Sequence, residues 1–366
     1  MIIKTVSSKI NIKRICFFAL LSCVLVMGVF SMDVYAKKSE AIRPETVTVK
    51  YADEEIELSF NKKQNNWQIE NPLPEGTGEF IVKYSVDGKE QEIKVKDNAK
   101  RIIFDVNGNE CQVVLTGLII DKIKVPVTNT VINLDTVQNI PNLSAAVYNT
   151  AYFDKKGKQV GIEPTIQLAS NGIYTLKGSF EGSIYVDNSL AVLKEKGGYK
   201  AETPEEKELL NNPLMITLDN AVIESKYGKA IEVVSDNTSS DNVGLSIFLA
   251  DGSHNLISGM LSASCNIFLN GNDGKLDIAD TNVALYTGQS VFVYGGNYSL
   301  HSKDKGMYVE HTFILKNGTV DVKAKNEGID CGQANLEGGE LKIDAGKKKN
   351  AVTGALKIGK GVKHNL

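Results

Sequence analysis

Hydrophobic positions recur at a spacing of 22 across residues 262–352. Ala263, Leu285, Met307, Ile329 and Ala351 share one column. Ile278, Leu300 and Val322 share a second that reaches Ile343 one residue early, and Leu276, Tyr298, Val320 and Leu341 share a third. Glycines keep the same frame: Gly306 with Gly328, and Gly274 with Gly296, Gly318 and Gly339. A period of this length marks a unit that cannot bury its apolar face alone and stacks on the next. Within each repeat the apolar runs are short and alternate, as in Tyr298 to Leu300, Val320 to Val322 and Leu341 to Ile343. Alternation with period two reads as strand, and no repeat holds the ten or more residues of 3.6 periodicity that a helix needs. The Leu-x-x-Leu-x-Leu pattern of leucine-rich repeats is absent. The pattern therefore predicts an all-β chain built on a parallel β-helix of about 22 residues per coil.

Upstream the alternation is that of ordinary antiparallel strands. Runs at 46–51, 55–60 and 80–86 lead into Asp87-Gly88 and a further run at 91–95, a tight-hairpin signature. Asn107-Gly108 gives a second hairpin between 102–106 and 112–115. Trp67, the only tryptophan, falls among these strands and is expected to plug a small sandwich core. Residues 37–163 are read as one or two sandwich-like modules and 164–366 as the parallel β-helix. An excursion at 194–213 carries a capping box, Thr203-Pro204-Glu205-Glu206, that predicts a short helix.

The first 36 residues change the picture of where the protein works. Lys4, Lys9, Lys13 and Arg14 precede an apolar run from Ile15 to Phe30 and then Val34-Tyr35-Ala36, the pattern of a cleaved secretory signal. The expectation is a secreted, extracellular or cell-surface protein with no membrane partner after cleavage and no nucleic-acid partner. Removing 1–36 takes four basic residues and Asp33 from totals of 41 and 44, which leaves a net charge of −6. From Ser302 onward twelve Lys face eight Asp and Glu, a basic tail suited to an anionic polymer. Three cysteines remain, Cys111, Cys265 and Cys331, an odd number that leaves at least one free thiol. Cys265 and Cys331 are three periods apart in one column, ~14 Å at the strand spacing and too far for a disulfide.

Three stretches carry a resemblance. They are Asn171-Gly172-Ile173-Tyr174-Thr175-Leu176-Lys177-Gly178-Ser179-Phe180, Ile216-Thr217-Leu218-Asp219-Asn220-Ala221, and Leu249-Ala250-Asp251-Gly252-Ser253-His254-Asn255-Leu256-Ile257-Ser258-Gly259. Residues 165–366 are similar to a family of secreted bacterial carbohydrate-binding proteins. The resemblance implies a right-handed parallel β-helix like that of polysaccharide lyases, binding to cellulose and pectic acid, and bound calcium. That family's outer turn often reads Asp-Asp-Gly-Ile. Here the matching positions are Asp304-Lys305-Gly306-Met307, Asn326-Glu327-Gly328-Ile329 and Lys348-Lys349-Asn350-Ala351. Asp304, Asn326 and Glu327 are thus the candidate calcium ligands, with Lys305 opposing the ion.

The candidate glycan site follows from alternation. If Leu285, Met307 and Ile329 point inward, Tyr286, Tyr308 and Asp330 point outward, with the two rings ~4.8 Å apart on adjacent coils. Asn282 adds an amide in the turn beside them. Exposed ring faces with a polar rim suit a pyranose ring. The alternative assigns this column to coil stability alone and makes the β-helix the stalk of an adhesive protein. A lyase would need a base next to a carboxylate-binding cation. Lys303, Lys305, Lys323 and Lys325 qualify by position only, since exposed lysines stay protonated near neutral pH. A non-catalytic polysaccharide-binding protein is the expectation.

Overall fold

The computed structural model describes residues 43–366 apart from 63–64, 72, 74–77, 97–98, 116–128, 140–144, 169–171, 188–213, 235–243 and 347–350. The expected signal segment and the expected short helix in the 194–213 excursion lie outside the described residues. Residues 44–366 form one compact unit. Its described elements are all strands except for one 3-10 segment, Leu134–Asn139.

A four-stranded antiparallel sheet opens the unit, in the order Glu54–Glu57, Thr46–Tyr51, Phe80–Val86, Lys89–Val95. Both expected hairpin turns form. Asp87 and Gly88 take φ of 52° and 69°, and Asn107 and Gly108 take 52° and 89°, the left-handed values that a two-residue turn of this kind demands. Trp67 is buried as expected, tilted against Phe60 with ring centroids 5.2 Å apart in a core shared with Val47, Phe80 and Phe104.

The remaining strands belong to one 21-stranded sheet dominated by parallel pairs. Parallel pairing already involves Thr130–Asn133, which faces Tyr174 to Lys177, and Arg101 to Ile103, which faces Thr150 to Tyr152. The expected boundary at 163/164 falls within the strand Gln159–Leu168. Two of the three apolar columns take the expected register: Leu276, Tyr298, Val320 and Leu341 pair in succession, as do Ile278, Leu300, Val322 and Ile343. All eight are buried.

The third column is corrected at both ends. Leu285, Met307 and Ile329 pair in succession, but Leu285 is preceded by Leu261 rather than Ala263, and Ile329 bridges to Val352 rather than to Ala351. The repeat from Leu261 to Leu285 is two residues longer than the one after it, with a register shift between Ser258 and Leu261 that absorbs the excess. The cysteine column changes with it. Cys331 follows Val309, Thr287 and Ala263, so Cys265 stands two positions away in another column. All three described thiols are free and buried, and burial pushes Cys265 up to about 12 and Cys331 up to about 11.

Glycine is required where successive turns touch. Gly318 has φ of +87°, and a Cβ there would lie 2.5 Å from the Gly296 carbonyl oxygen one repeat earlier. Gly318→Ala is expected to lower stability by about 1–3 kcal/mol, because a left-handed residue is forced against a neighbouring backbone. A shift of the urea midpoint at constant slope would register it, and an unchanged midpoint would show that the turn relaxes freely.

Candidate functional site

One outward column runs the length of the parallel sheet. Gln167, Tyr185, Glu232, Ser262, Tyr286, Tyr308 and Asp330 pair in succession, each on the strand next to the last. Alternation explains their direction: the flanking residues Ile231, Leu261, Leu285, Met307 and Ile329 are buried in the core. The column divides into a covered part and an open part.

In the covered part the hairpin of Arg101–Val106 and Asn109–Val114 lies against the column. The Arg101 guanidinium sits 4.4 Å from the Tyr185 ring centroid, ion-pairs with Glu232 and donates to the Gln112 Oε1 at 2.9 Å. Gln112 donates in turn to Glu232 at 3.1 Å and to Glu110 at 2.8 Å. Lys229 completes the cluster, its Nζ at 2.6 Å from both Glu110 and Glu232. Desolvation works against charge at Arg101, Lys229 and Glu232. At Glu232 Arg101 and Lys229 outweigh it and hold the carboxyl below its usual range; at Lys229 Glu232 and Glu110 outweigh it and hold the ammonium above its own.

In the open part stand the expected aromatics. Tyr286 and Tyr308 stack with centroids 5.3 Å apart and planes 7° from parallel. Tyr286 is 37% exposed and Tyr308 is half-buried. The stack follows from the rung spacing and spends two of the four ring faces on each other. Lys305 engages Tyr308 as well, its Nζ 5.6 Å from the ring centroid. The Tyr308 hydroxyl donates to Glu310 at 3.2 Å, and burial followed by that carboxylate raises the phenol above its ordinary pKa. The Tyr286 face turned away from Tyr308 has no ring or cation against it among the described residues.

Asp330 lies next in the column, but as an ion-pair partner rather than a free rim carboxylate. It accepts from Lys305, and from the Thr353 hydroxyl at 2.7 Å. Those two bonds outweigh desolvation and hold its carboxyl below the usual range. Lys305 also approaches Glu327 at 2.7 Å. Asn326 donates to Asp304 at 2.7 Å, and both its backbone N–H and its amide are spent on that residue. Asn282, expected in a turn, is instead an exposed residue within the strand Lys275–Thr287, at a register shift just before Val283, which pairs with Lys305.

The expected calcium ligands do not fit the ion. Calcium takes six to eight oxygens, whereas here an ammonium stands between Glu327 and Asp330 and an amide nitrogen faces Asp304. Among the described residues no three His, Cys, Asp or Glu side chains converge on one point that would hold a metal.

Sequence reasoning anticipated Tyr286, Tyr308 and Asp330 as one column. It missed Arg101, Tyr185, Lys229 and Glu232, because their partners lie up to 131 residues away and no local spacing encodes them. Arg101→Ala is expected to cost about 3 kcal/mol, because it takes from buried Glu232 one of its two cations and leaves Lys229 to balance it alone. The sign for Glu232 is that of a depressed carboxyl: its contribution is complete above the ordinary carboxylate range and is lost as pH falls toward the folded value. The stability gap between wild type and variant, read by denaturant titration, is therefore expected to narrow below about pH 4.

A family model described as "Carbohydrate-binding domain-containing protein" matches residues 162–362, more than half of the chain. Among solved structures the chain is similar to the polysaccharide lyase-like protein from C. thermocellum in its gadolinium derivative. The match has 18% identity and a TM-score of 0.47, over 65% of this chain and 99% of that one. No curated protein matches the chain. The extent of the family match establishes that the chain belongs to the carbohydrate-binding domain-containing protein family.

Proposed function

We propose that this is a secreted or cell-surface polysaccharide-binding protein without catalytic activity of its own, which holds plant-type or acidic glycans such as cellulose or polygalacturonate. The glycan lies against the open part of the outward column, on a right-handed parallel β-helix of about 22 residues per coil. The carbohydrate-binding unit occupies 164–366, and the antiparallel module before it walls one end of the track.

The observation that carries this reading is the Tyr286–Tyr308 stack, left uncovered by the described chain in a domain of a carbohydrate-binding family. Its free ring face and ring edges supply apolar contact, and the tyrosine hydroxyls and Lys305 supply hydrogen bonds to the hydroxyl rim. The coil reading is supported by registers such as Leu276 with Tyr298 and Tyr298 with Val320, each offset by one repeat. The absence of catalysis is supported by Lys305. Desolvation lowers its pKa, but the bonds to Asp330 and Glu327 outweigh that and hold the ammonium well above its ordinary value, the wrong direction for a general base.

Sedimentation of the mature protein with insoluble cellulose and with calcium-pectate gel tests the proposal. Tyr286→Ala/Tyr308→Ala is expected to weaken pelleting about tenfold or more, as loss of central aromatic anchors does, with the circular dichroism unchanged. A chelator is expected to leave pelleting on cellulose unaltered. Full pelleting by the double variant would put the site on another face.

A further inference from the structure

The basic tail read from the sequence has a place in the structure that the glycan site does not use. Residues 345–366 hold six lysines and one histidine, with no Asp or Glu. Within them Ala355–Ile358 and Lys363–Asn365 form two short strands joined by a turn from Gly359 to Val362. The first pairs with Gln333 to Leu336 and the second with Glu340 to Lys342, and neither pairs on its other side among the described residues. Together they make one open edge of the parallel sheet.

The inward columns continue onto this edge without being buried there. Leu356 follows Ala334 and Ile358 follows Leu336, and both predecessors are buried, yet Leu356 and Ile358 are 40% and 42% exposed. Val362 and Leu366, partly buried, pack beside them against the core. Around this apolar patch Lys357, Lys360 and Lys363 are exposed, and none of the three is held by a carboxylate among the described residues. Glu340, in register with Lys363, is instead taken by Lys342 at 3.1 Å. Lys229 and Lys305 differ in kind, since each is neutralised by two carboxylates.

Charge alone would suit any polyanion. Two aliphatic side chains standing open between unpaired ammonium groups suit a narrower partner, one with anionic groups at its surface and hydrocarbon beneath. The open edge adds backbone N–H groups from which a phosphate oxygen can accept.

We propose that this edge docks on an anionic phospholipid surface, with Lys357, Lys360 and Lys363 on the headgroups and Leu356 and Ile358 in the interfacial layer. This departs from the expectation, drawn from the leader pattern, of no membrane partner after cleavage. The contact is peripheral and salt-sensitive, and it leaves the outward tyrosine column open. It does not rest on the glycan-binding reading, because no residue of the edge belongs to that column.

The test is co-sedimentation of the full mature chain with vesicles of equal parts phosphatidylcholine and phosphatidylglycerol and with vesicles of phosphatidylcholine alone, beside titration with soluble polyphosphate. Wild type is expected to bind the phosphatidylglycerol vesicles at least tenfold more tightly, with binding falling as salt rises. Lys357→Gln/Lys360→Gln/Lys363→Gln is expected to weaken that binding about a hundredfold with the circular dichroism unchanged. Leu356→Ser/Ile358→Ser is expected to weaken it about tenfold while leaving polyphosphate binding as in wild type. Tyr286→Ala/Tyr308→Ala is expected to bind the vesicles fully. Equal binding to both vesicle types, or a lysine variant that binds as wild type does, would overturn the proposal. Full vesicle binding by a folded Leu356→Ser/Ile358→Ser would overturn it in favour of a soluble polyanion, and loss of vesicle binding in the tyrosine variant would move the contact to the column. The lysine variant, in which only exposed side chains change, decides the matter if the Leu356→Ser/Ile358→Ser chain fails to fold.

Discussion

The structure depends on the parallel hydrogen-bonded ladder that joins each repeat to the next. A single strand holds too few apolar side chains to enclose a core, so Leu276, Ile278 and Leu285 are buried only because Tyr298, Leu300 and Met307 continue the same columns one strand away. The ladder sets the distance between equivalent side chains at the strand spacing for inward and outward positions alike. Inside, that spacing gives a continuous apolar core. Outside, it lines up whatever the alternate positions carry, so Tyr286 and Tyr308 are forced into a stack. The site is thus a by-product of the rule that makes the core, selected by which residues occupy the outward column.

The same rule governs both parts of that column, and their difference lies in what sits above them. Tyr185 and Glu232 are followed in the ladder by Ser262, and Tyr308 is followed by Asp330. In each half an aromatic ring is succeeded by a carboxylate one or two rungs on, and a cation joins the two. Arg101 performs this role for Tyr185 and Glu232 from a distant hairpin, fully desolvated. Lys305 performs it for Tyr308 and Asp330 from its own strand, at the surface. The buried version ties the upstream module to the parallel sheet. The exposed version leaves donors and ring surface for a ligand, and this contrast separates a structural polar cluster from a candidate binding one.

Close packing of turns is the second constraint. Gly296, Gly318 and Gly339 take positive φ, and a Cβ at Gly318 or Gly339 would strike the carbonyl of the preceding glycine. These positions keep the turns narrow enough for the ladder to continue. Where a repeat runs long, as between Leu261 and Leu285, the excess is absorbed in a register shift instead.

The sequence by itself determined the all-β class, the two hairpins, the buried tryptophan, two of the three apolar columns and the outward alignment of Tyr286, Tyr308 and Asp330. All of these follow from local rules: period two in a strand, glycine where φ is positive, and a repeat that puts like positions on adjacent strands. The ends of the third column and the placing of Cys265 against Cys331 differ from the sequence reading, because the steps from Leu261 to Leu285 and from Ile329 to Val352 each depart from the 22-residue spacing without leaving a local mark. The tertiary structure alone decided that Lys305 lies against the Tyr308 ring, that it pairs with Glu327 of the expected calcium set and with Asp330, and that Arg101 and Lys229 bury the upstream end of the column. Each of these depends on which side chains of remote segments meet in space, and desolvation and pairing of charge arise only once the chain has brought them together.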